Sequence, residues 1–353
     1  MRSGSARRAT IQDVAQSAGV SVSAVSKVLR DAYGVSPEMR AKVTTAIEKL
    51  GYRPHAGARG MRGRSFTVGV VLTEMSSPFQ PEVVDGINDE LEPSSFQAIM
   101  TVGGANAERQ KRSIEALVDR QVDGLVLIAP FVSQSWLEKL ASAIPTVVVA
   151  RHGGGPNYDS VVDDDYEGAR LVVDHLAGLG HQQIVHTSHP SGGLKRPFVL
   201  SHTARCDGYV NAMERLGLEP DVLETTYSEQ GGYQATVEAL GSAIPPTAIF
   251  AGADIAALGA LRAAEELGRT VPEDLTIVGY DNIYLTTIGR ISLTTVDQSG
   301  HLTGRTSARL LLERIEGRSR PVHYVVAPRL VPRSTSAAPA VQSAARPGGK
   351  RKR

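Results

Sequence analysis

The 353-residue sequence is poor in cysteine and in long apolar runs. Its single cysteine, Cys206, excludes an internal disulfide. The longest apolar runs, such as residues 68–72, have the length of a strand, and none approaches the roughly 18 residues of a membrane-spanning helix. The first ten residues are basic and lack the apolar core of a secretory signal. These absences predict a cytoplasmic protein.

Signatures of metal binding and catalysis are also missing. His181, His186, His189 and His202 lie close together in the sequence, but no pair has the spacing of metal ligands on a helix, so we expect no metal site. No arrangement of Ser, His and Asp indicates a nucleophile. We therefore expect no cofactor and no enzyme activity.

Charge is distributed unevenly along the chain. Residues 1–64 contain 12 Lys and Arg against 4 Asp and Glu, whereas residues 65–353 contain 26 against 33. A length of 353 residues suits a small domain joined to a larger one. A basic small domain on an acidic large one is typical of a protein in which only the small domain approaches phosphates.

Residues 10–53 have the pattern of three short helices. Thr10 predicts the start of the first helix and Gly19 its end, and Ser21 predicts the start of the second. Ser36 and Gly51 bracket the third. The outward positions of the second helix are Val22, Ser23, Ser26 and Lys27. This pattern fits a helix-turn-helix, and a protein-binding helical bundle is the alternative.

Two segments make the helix-turn-helix more specific: TIQDVAQSAGVSVSAVSKVL and VSPEMRAKVTTAIEKLGYRP. They closely resemble the headpiece of the lactose-repressor (LacI/GalR) family. The resemblance implies that the second helix enters the major groove and that Val22, Ser23 and Lys27 read bases. Lys27 departs from the arginine frequent at this site, which weakens a bidentate contact to guanine. Phosphate or packing positions would be Thr10, Ser21, Ser26 and Tyr52.

The segment 54–64, PHAGARGMRGR, lies where this family has a hinge helix that folds on DNA. The resemblance implies that Ala58 and Met61 contact DNA there and that Met61 wedges into the central minor groove. Gly57 and Gly60 each cost a helix about 0.5 to 1 kcal/mol, so we expect the free hinge to be unfolded. An ordinary flexible linker is the alternative.

From residue 66 onward, short apolar strands alternate with helix-length segments, as in parallel βαβ units. Four strands (68–72, 96–101, 124–128 and 146–150) predict a first doubly wound lobe, and their continuous hydrophobicity indicates burial on both faces. A second set follows SVVDDD at 160–165, whose last acidic residues we expect to cap a helix starting near residue 167. The chain then returns to the first lobe through SLTTVDQ.

The motifs SSPF, DGLVL, GLGHQQI, ALGALRA and IVGYDN resemble the effector domain of the same family, which is related to periplasmic sugar-binding proteins. The fold class expected is an all-α helix-turn-helix headpiece followed by an α/β effector domain of two doubly wound lobes. We assign 1–9 to a disordered leader, 10–53 to the DNA-binding domain, 54–64 to the hinge, 65–333 to the effector and dimerisation domain, and 334–353 to a disordered basic tail.

Ligands of open α/β folds bind beyond the carboxyl ends of the strands. By that rule and the resemblance, the effector-binding candidates are Ser76, Phe79, Gln80, Arg151, Arg205, Asp281 and Gln298. For a sugar, Arg205 would donate, Asp281 would accept and Phe79 would stack beneath the ring. Each has a structural alternative: a helix-end ion pair for Arg205 or Asp281, and plain core packing for Phe79.

Two departures from the family pattern bear on the ligand. Ala253 stands where an asparagine is common, and Gly300 stands where the side chain is often aromatic. One polar contact would be missing, and we expect the pocket to admit something larger than a monosaccharide.

These observations together predict a homodimeric transcriptional repressor. It would bind palindromic double-stranded DNA, with an affinity set by a small molecule, a sugar or a sugar derivative. The first lobe's helices would form the dimer contact. A solute-binding protein without DNA function and a sugar-acting enzyme are the alternatives.

Overall fold

The computed structural model describes residues 9–29, 32–52, 64–190 and 198–340. The chain forms two compact units, Met1–Ser65 and Phe66–Arg353. The leader 1–8, the hinge positions Ala58 and Met61, and the end of the chain from residue 341 lie outside the described residues.

The first unit contains the three predicted helices: α1 (Ile11–Ala18), α2 (Val22–Leu29) and α3 (Pro37–Leu50). Thr10 and Asp13 form a reciprocal capping box at the start of α1. Gly19 ends α1 in the left-handed region at φ 66°, which favours glycine, and so allows the tight turn into α2. A small core centred on Val14, Val25 and Val43 holds the three helices together.

The second unit begins with a lobe built on a parallel sheet. Its elements are β1 (Thr67–Leu72), α4 (Phe79–Leu91), β2 (Gln97–Val102), α5 (Ala107–Val118), β3 (Gly124–Ile128), α6 (Gln134–Ala143), β4 (Thr146–Val149), β5 (Arg151–His152) and β6 (Asp159–Asp163). Strands β1, β3, β4 and β6 are almost completely buried, as expected of a sheet covered by helices on both faces.

A second lobe of the same kind follows. Its elements are α7 (Asp165–Gly178), β7 (Ile184–Ser188), β8 (Val199–Leu200), α8 (Ser201–Arg215), β9 (Asp221–Glu224), α9 (Glu229–Leu240), β10 (Ala248–Ala251), α10 (Asp254–Glu266), β11 (Thr276–Tyr280), a 3₁₀ turn (Tyr284–Thr287) and β12 (Thr294–Asp297). Helix α11 (Gly300–Ile315) and β13 (His323–Val326) return to the first lobe, and β14 (Arg329–Val331) pairs antiparallel with β12.

The strand orders show how the chain moves between the lobes. The first sheet runs β13-β6-β4-β3-β1-β2 and the second β14-β12-β11-β10-β7-β9. The described chain therefore crosses between the lobes at 163–165, 297–300 and 326–329. We call the segment 163–165 the first crossing. This arrangement confirms the predicted pair of doubly wound lobes.

Two expectations differ from the structure, and several elements were not expected at all. Strand β2 is not buried on both faces, because it lies at the sheet edge, where Ile99 is 38% and Met100 49% exposed. Several elements were not predicted from the sequence, namely α6, β6, β9, β13 and β14. The predicted tail from 334 is ordered as far as 340, because Thr335 donates to the Ile277 carbonyl and Ser336 bonds to His175.

Helices α4 and α11 pack backbone to backbone in the first lobe. A Cβ built at Gly304 would lie 1.9 Å from the Val83 carbonyl oxygen, and one at Gly86 would lie 2.1 Å from that of His301. Real side chains do not approach backbone this closely, so the contact requires glycine on both helices.

We expect Gly304→Ala to lower the free energy of unfolding by about 1 to 3 kcal/mol, the usual cost of overpacking. Thermal or denaturant unfolding measures this effect. Gly178→Ala is the matched control, because a Cβ at this position in α7 meets nothing within 4 Å and alanine is the better helix former. An unfolding midpoint for Gly304→Ala equal to that of the control would contradict the close packing.

Candidate functional site

Helix α2 presents a polar, short-chained face to solvent. Ser21 caps the helix by accepting from the Ala24 N–H at 3.1 Å, and its hydroxyl lies 2.8 Å from that of Ser23. Val22, Ser23 and Lys27 are exposed, and Ser26 is half-buried. Short side chains near the start of an exposed helix allow close approach to a flat partner such as the edges of base pairs.

Among the described residues, the two remaining predicted DNA positions have structural partners. Thr10 is the capping residue of α1 and bonds to Asp13. Tyr52 is only 7% exposed and packs in the core of the three helices. Of the two roles left open for it, packing is the one seen.

The second unit contains a cavity of about 320 Å³ at the carboxyl ends of strands from both lobes. Five of the seven predicted effector residues line it: Phe79, Gln80, Arg205, Asp281 and Gln298. Phe79 begins α4, and Gln80 is fixed by hydrogen bonds to the backbone and hydroxyl of Thr73. The cavity lies beyond the strand ends, which is where open α/β folds bind their ligands, so it is the candidate effector site.

Arg205 links the cavity wall to the first crossing. This buried side chain donates to Asp165 at 2.8 Å and to the Gly252 carbonyl oxygen. Its guanidinium lies 3.5 Å from the ring centroid of Tyr280, whose hydroxyl donates to Asp163. Two residues of the second lobe thus hold both ends of the first crossing.

Asp281 directly follows β11, with its backbone at φ 122°. Such a conformation is strained for a residue with a side chain and is often found at functional sites. Gln298, from the second crossing, donates to its carboxylate. Burial raises the pKa of Asp281 to about 7 and that of Asp163 to about 8, and the nearby charge of Asp165 contributes to the second shift.

Two predicted effector residues do not reach the cavity wall. Ser76 is exposed, and its hydroxyl donates to Glu74. Arg151 is 1% exposed and donates to the carbonyl oxygens of Pro130 and Val132 at 2.9 and 2.7 Å, so it supports the loop after β3 instead. Burial lowers the pKa of this guanidinium to about 10.

Several residues that line the cavity are not among the predicted effector residues, among them Phe131, His189, His202 and Tyr227. In the sequence, His189 and His202 stand out only as members of a histidine cluster. Their ring centroids lie 5.2 Å apart, and within the described part of the chain no group of His, Cys, Asp and Glu could hold a metal ion. Their position after β7 and at the start of α8 was the signal that could have identified them.

The other two histidines of that cluster have structural roles. His186 is completely buried between Tyr209 and Phe250, and burial lowers its pKa to about 3. His181 bonds to the hydroxyl of Thr247 and to the Ala337 carbonyl oxygen, each at 2.8 Å.

The family departures have different outcomes. Ala253 lines the cavity without a polar group, as expected. Gly300 does not leave extra room, because a Cβ there would lie 3.0 Å from the Phe79 ring.

The three acidic residues 163–165 have different roles. Only Asp164 caps α7, by accepting from the Glu167 N–H. Asp163 accepts from Tyr280 instead, and Asp165 accepts from Arg205.

A three-helix unit with an exposed polar helix, joined to a two-lobed ligand-binding domain, defines the class of effector-controlled DNA-binding regulators. Residues 10–55 match the family model for bacterial regulatory proteins of the lacI family, and residues 173–336 match a periplasmic binding protein-like domain. The chain belongs to the lacI family of bacterial regulatory proteins.

Individual relatives match over nearly the whole chain. Catabolite control protein A of Priestia megaterium is 34% identical over 86% of this chain and 91% of its own. The lac repressor dimer bound to operator and the anti-inducer ONPF is 27% identical, with a TM-score of 0.80 over 94% of this chain and 100% of that one.

A third relative was solved with a sugar. A LacI family regulator from Enterococcus faecium with bound ribose is 32% identical, with a TM-score of 0.69 over 77% of this chain and 99% of that one. Two of these three relatives carry the names of a repressor and of a transcriptional regulator. Within the residues described here, no helix has the length and apolar character needed to cross a membrane.

The raised pKa of Asp163 makes a pH-dependent contribution to stability. Between the ordinary carboxyl pKa near 4 and the folded value of about 8, the folded chain holds a proton that the unfolded chain releases. This contribution is therefore lost as pH rises through that window. Asp163→Asn keeps an acceptor for Tyr280, and we expect it to lose less stability than the parent between pH 5 and pH 8.

Unfolding by denaturant at several pH values measures the effect. The free energy of unfolding is plotted against pH for parent and variant. The slopes of the two plots should differ by up to about 1.4 kcal/mol per pH unit, the value for one proton. Parallel curves for parent and variant would show that Asp163 does not hold the proton.

Proposed function

We propose that this chain is a homodimeric repressor that binds a palindromic operator, and that a sugar or sugar derivative in the interlobe cavity controls its operator affinity. The exposed face of α2 carries the DNA-binding part of the proposal: Val22, Ser23 and Lys27 face solvent on a helix whose opposite face is buried. Thr10, Ser21, Ser26, Ala58 and Met61 are the supporting contacts proposed from the family resemblance.

The control mechanism is a population shift between arrangements of the two lobes. A ligand touching Phe79 in the first lobe and Arg205 or Asp281 in the second stabilises the arrangement in which all three contacts form. Arg205 also bonds to Asp165 in the first crossing, and Gln298 lies in the second crossing and bonds to Asp281, so the ligand acts on the segments about which the lobes move. Effector and operator then affect each other's binding reciprocally.

A dimer supplies the symmetry that a palindrome requires. The first lobe offers an apolar surface on β2, where Ile99 and Met100 are exposed. We propose that this surface, with the neighbouring helices of the lobe, forms part of the contact between subunits. The lac repressor, to which this chain is similar over 94% of its length, was solved as a dimer on its operator.

The first test removes the proposed base contacts. Ser23→Ala with Lys27→Ala should abolish discrimination between a selected palindromic duplex and a scrambled duplex, because each good base contact contributes about 1 to 3 kcal/mol of discrimination. Gel retardation of both duplexes measures this loss. Lys42→Ala is the control, because Lys42 is an exposed basic residue of α3 paired with Glu38. If the double variant discriminates as well as the parent, α2 does not read the operator.

The second test separates a regulator from a solute-binding protein. The chain from residue 66 onward forms a compact unit of its own, so we expect it to retain ligand binding and to lose retention of the duplex. Thermal shift and gel retardation measure the two properties. If the full chain also fails to retain the duplex, the solute-binding alternative is favoured. Turnover of bound sugar would favour an enzyme.

A further inference from the structure

The loop between β3 and α6, residues 129–133, places Phe131 in the wall of the cavity. Its first residue, Ala129, has φ 44°, a left-handed backbone that is uncommon for a residue with a side chain. Such a conformation persists only where its surroundings hold it. Val132, the residue after Phe131, is completely buried in the core of the first lobe. The position of Phe131 therefore depends on the contacts that hold this short loop.

Two buried polar side chains hold the loop by its backbone. Gln110 of α5 accepts from the Phe131 N–H at 2.6 Å. One terminal nitrogen of Arg151, in β5, donates to the carbonyl oxygens of Pro130 and Val132. Hydrogen bonds from a charged donor are stronger than those between neutral groups, and the planar guanidinium holds its N–H groups in fixed directions. Arg151 thus fixes the peptide groups on both sides of Phe131.

The same guanidinium reaches the second lobe. Its central carbon lies 3.7 Å from the ring centroid of Phe198, and a cation stacked on an aromatic face is attracted to it. Phe198 directly precedes β8, which pairs antiparallel with β5 through Arg151 with Leu200 and His152 with Val199. Strand β8 leads into α8, a helix that packs against α7 in the second lobe. The β5–β8 pair is therefore a non-covalent link between the lobes, additional to the described chain crossings.

We propose that Arg151 is a positioning residue for the effector. It sets the place of Phe131 in the cavity and, through Phe198, makes that place depend on the position of the second lobe. A shift of the second lobe carries Phe198 with it, so the guanidinium follows the ring or loses the stacking contact. In the opposite direction, a ligand that displaces Phe131 acts on Phe198. This inference rests on the proposed function, because it concerns the cavity in which the effector is proposed to bind.

Hydrogen exchange of the full-length chain without ligand tests the positioning. Arg151→Met keeps an unbranched apolar stem and removes the donors, so the amides of 129–134 should exchange about tenfold faster or more than in the parent. Arg318→Met is the matched control, because Arg318 also donates to two backbone carbonyl oxygens of the first lobe, those of Leu310 and Arg320. Unchanged exchange at 129–134, or an equal increase in β10 of the second lobe, would overturn the positioning role.

Phe198→Leu tests the link between the lobes and does not disturb the buried arginine. Leucine keeps an apolar contact and removes the aromatic face, so 129–134 should exchange about threefold faster or more, although Phe198 belongs to the other lobe. In the Arg151→Met background the same change should add less than about twofold, because Phe198 acts through Arg151.

Phe66→Leu is the control for this second variant, since Phe66 is a partly exposed phenylalanine that packs on Phe96 at the edge of the first lobe. Thermal melting checks that each variant is folded. No effect of Phe198→Leu on 129–134, or the same effect in both backgrounds, would overturn the proposed link.

Ligand binding separates this inference from the proposed function. Isothermal titration with ribose and with glucose should show binding to Arg151→Met weakened about tenfold relative to the parent, with Arg318→Met within about twofold. Equal affinity of the parent and Arg151→Met for a sugar that binds would overturn the inference and leave the proposed function intact. If neither sugar binds the parent while 129–134 responds to both variants as expected, the positioning of Phe131 is supported and the proposed sugar effector fails.

Discussion

The buried ion pair between Arg205 and Asp165 is the contact on which the rest of the two-lobed domain depends. Removing two charges from water is costly, and the pair is sustained because its members have further partners: His152 bonds to Asp165, and Gly252 and the Tyr280 ring contact Arg205. Breaking one side would leave an unpaired buried charge. One side chain therefore both lines the ligand cavity and fixes the first crossing between the lobes.

Hydrogen bonds connect the residues that line the cavity to the segments in which the chain crosses between the lobes. Asp163, bonded to Tyr280, ends the last strand before the first crossing, and Gln298, bonded to Asp281, lies in the second. A ligand that contacts Arg205 and Asp281 thereby acts on two of the three described crossings.

The sequence predicted the architecture well because periodicity and capping residues act locally. Thr10, Ser21 and Gly19 define the ends of α1 and the start of α2 wherever the rest of the chain lies. Edge position, by contrast, is set by sheet order, so the exposure of β2 could not be read from its hydrophobic run. The direction of the Arg151 side chain could not be predicted for a similar reason: a strand-end position does not say whether a side chain turns towards the cavity or into the loop beneath it.

The central claim, that Tyr280 and Arg205 transmit ligand binding to the first crossing, is tested most directly by Tyr280→Phe. This change keeps the ring beneath Arg205 and removes only the hydrogen bond to Asp163. The measurement is operator affinity with and without the ligand found by titration. The account predicts ligand affinity within about twofold of the parent and an operator response reduced about fivefold or more, the lower end of typical allosteric couplings. An unchanged response would contradict it.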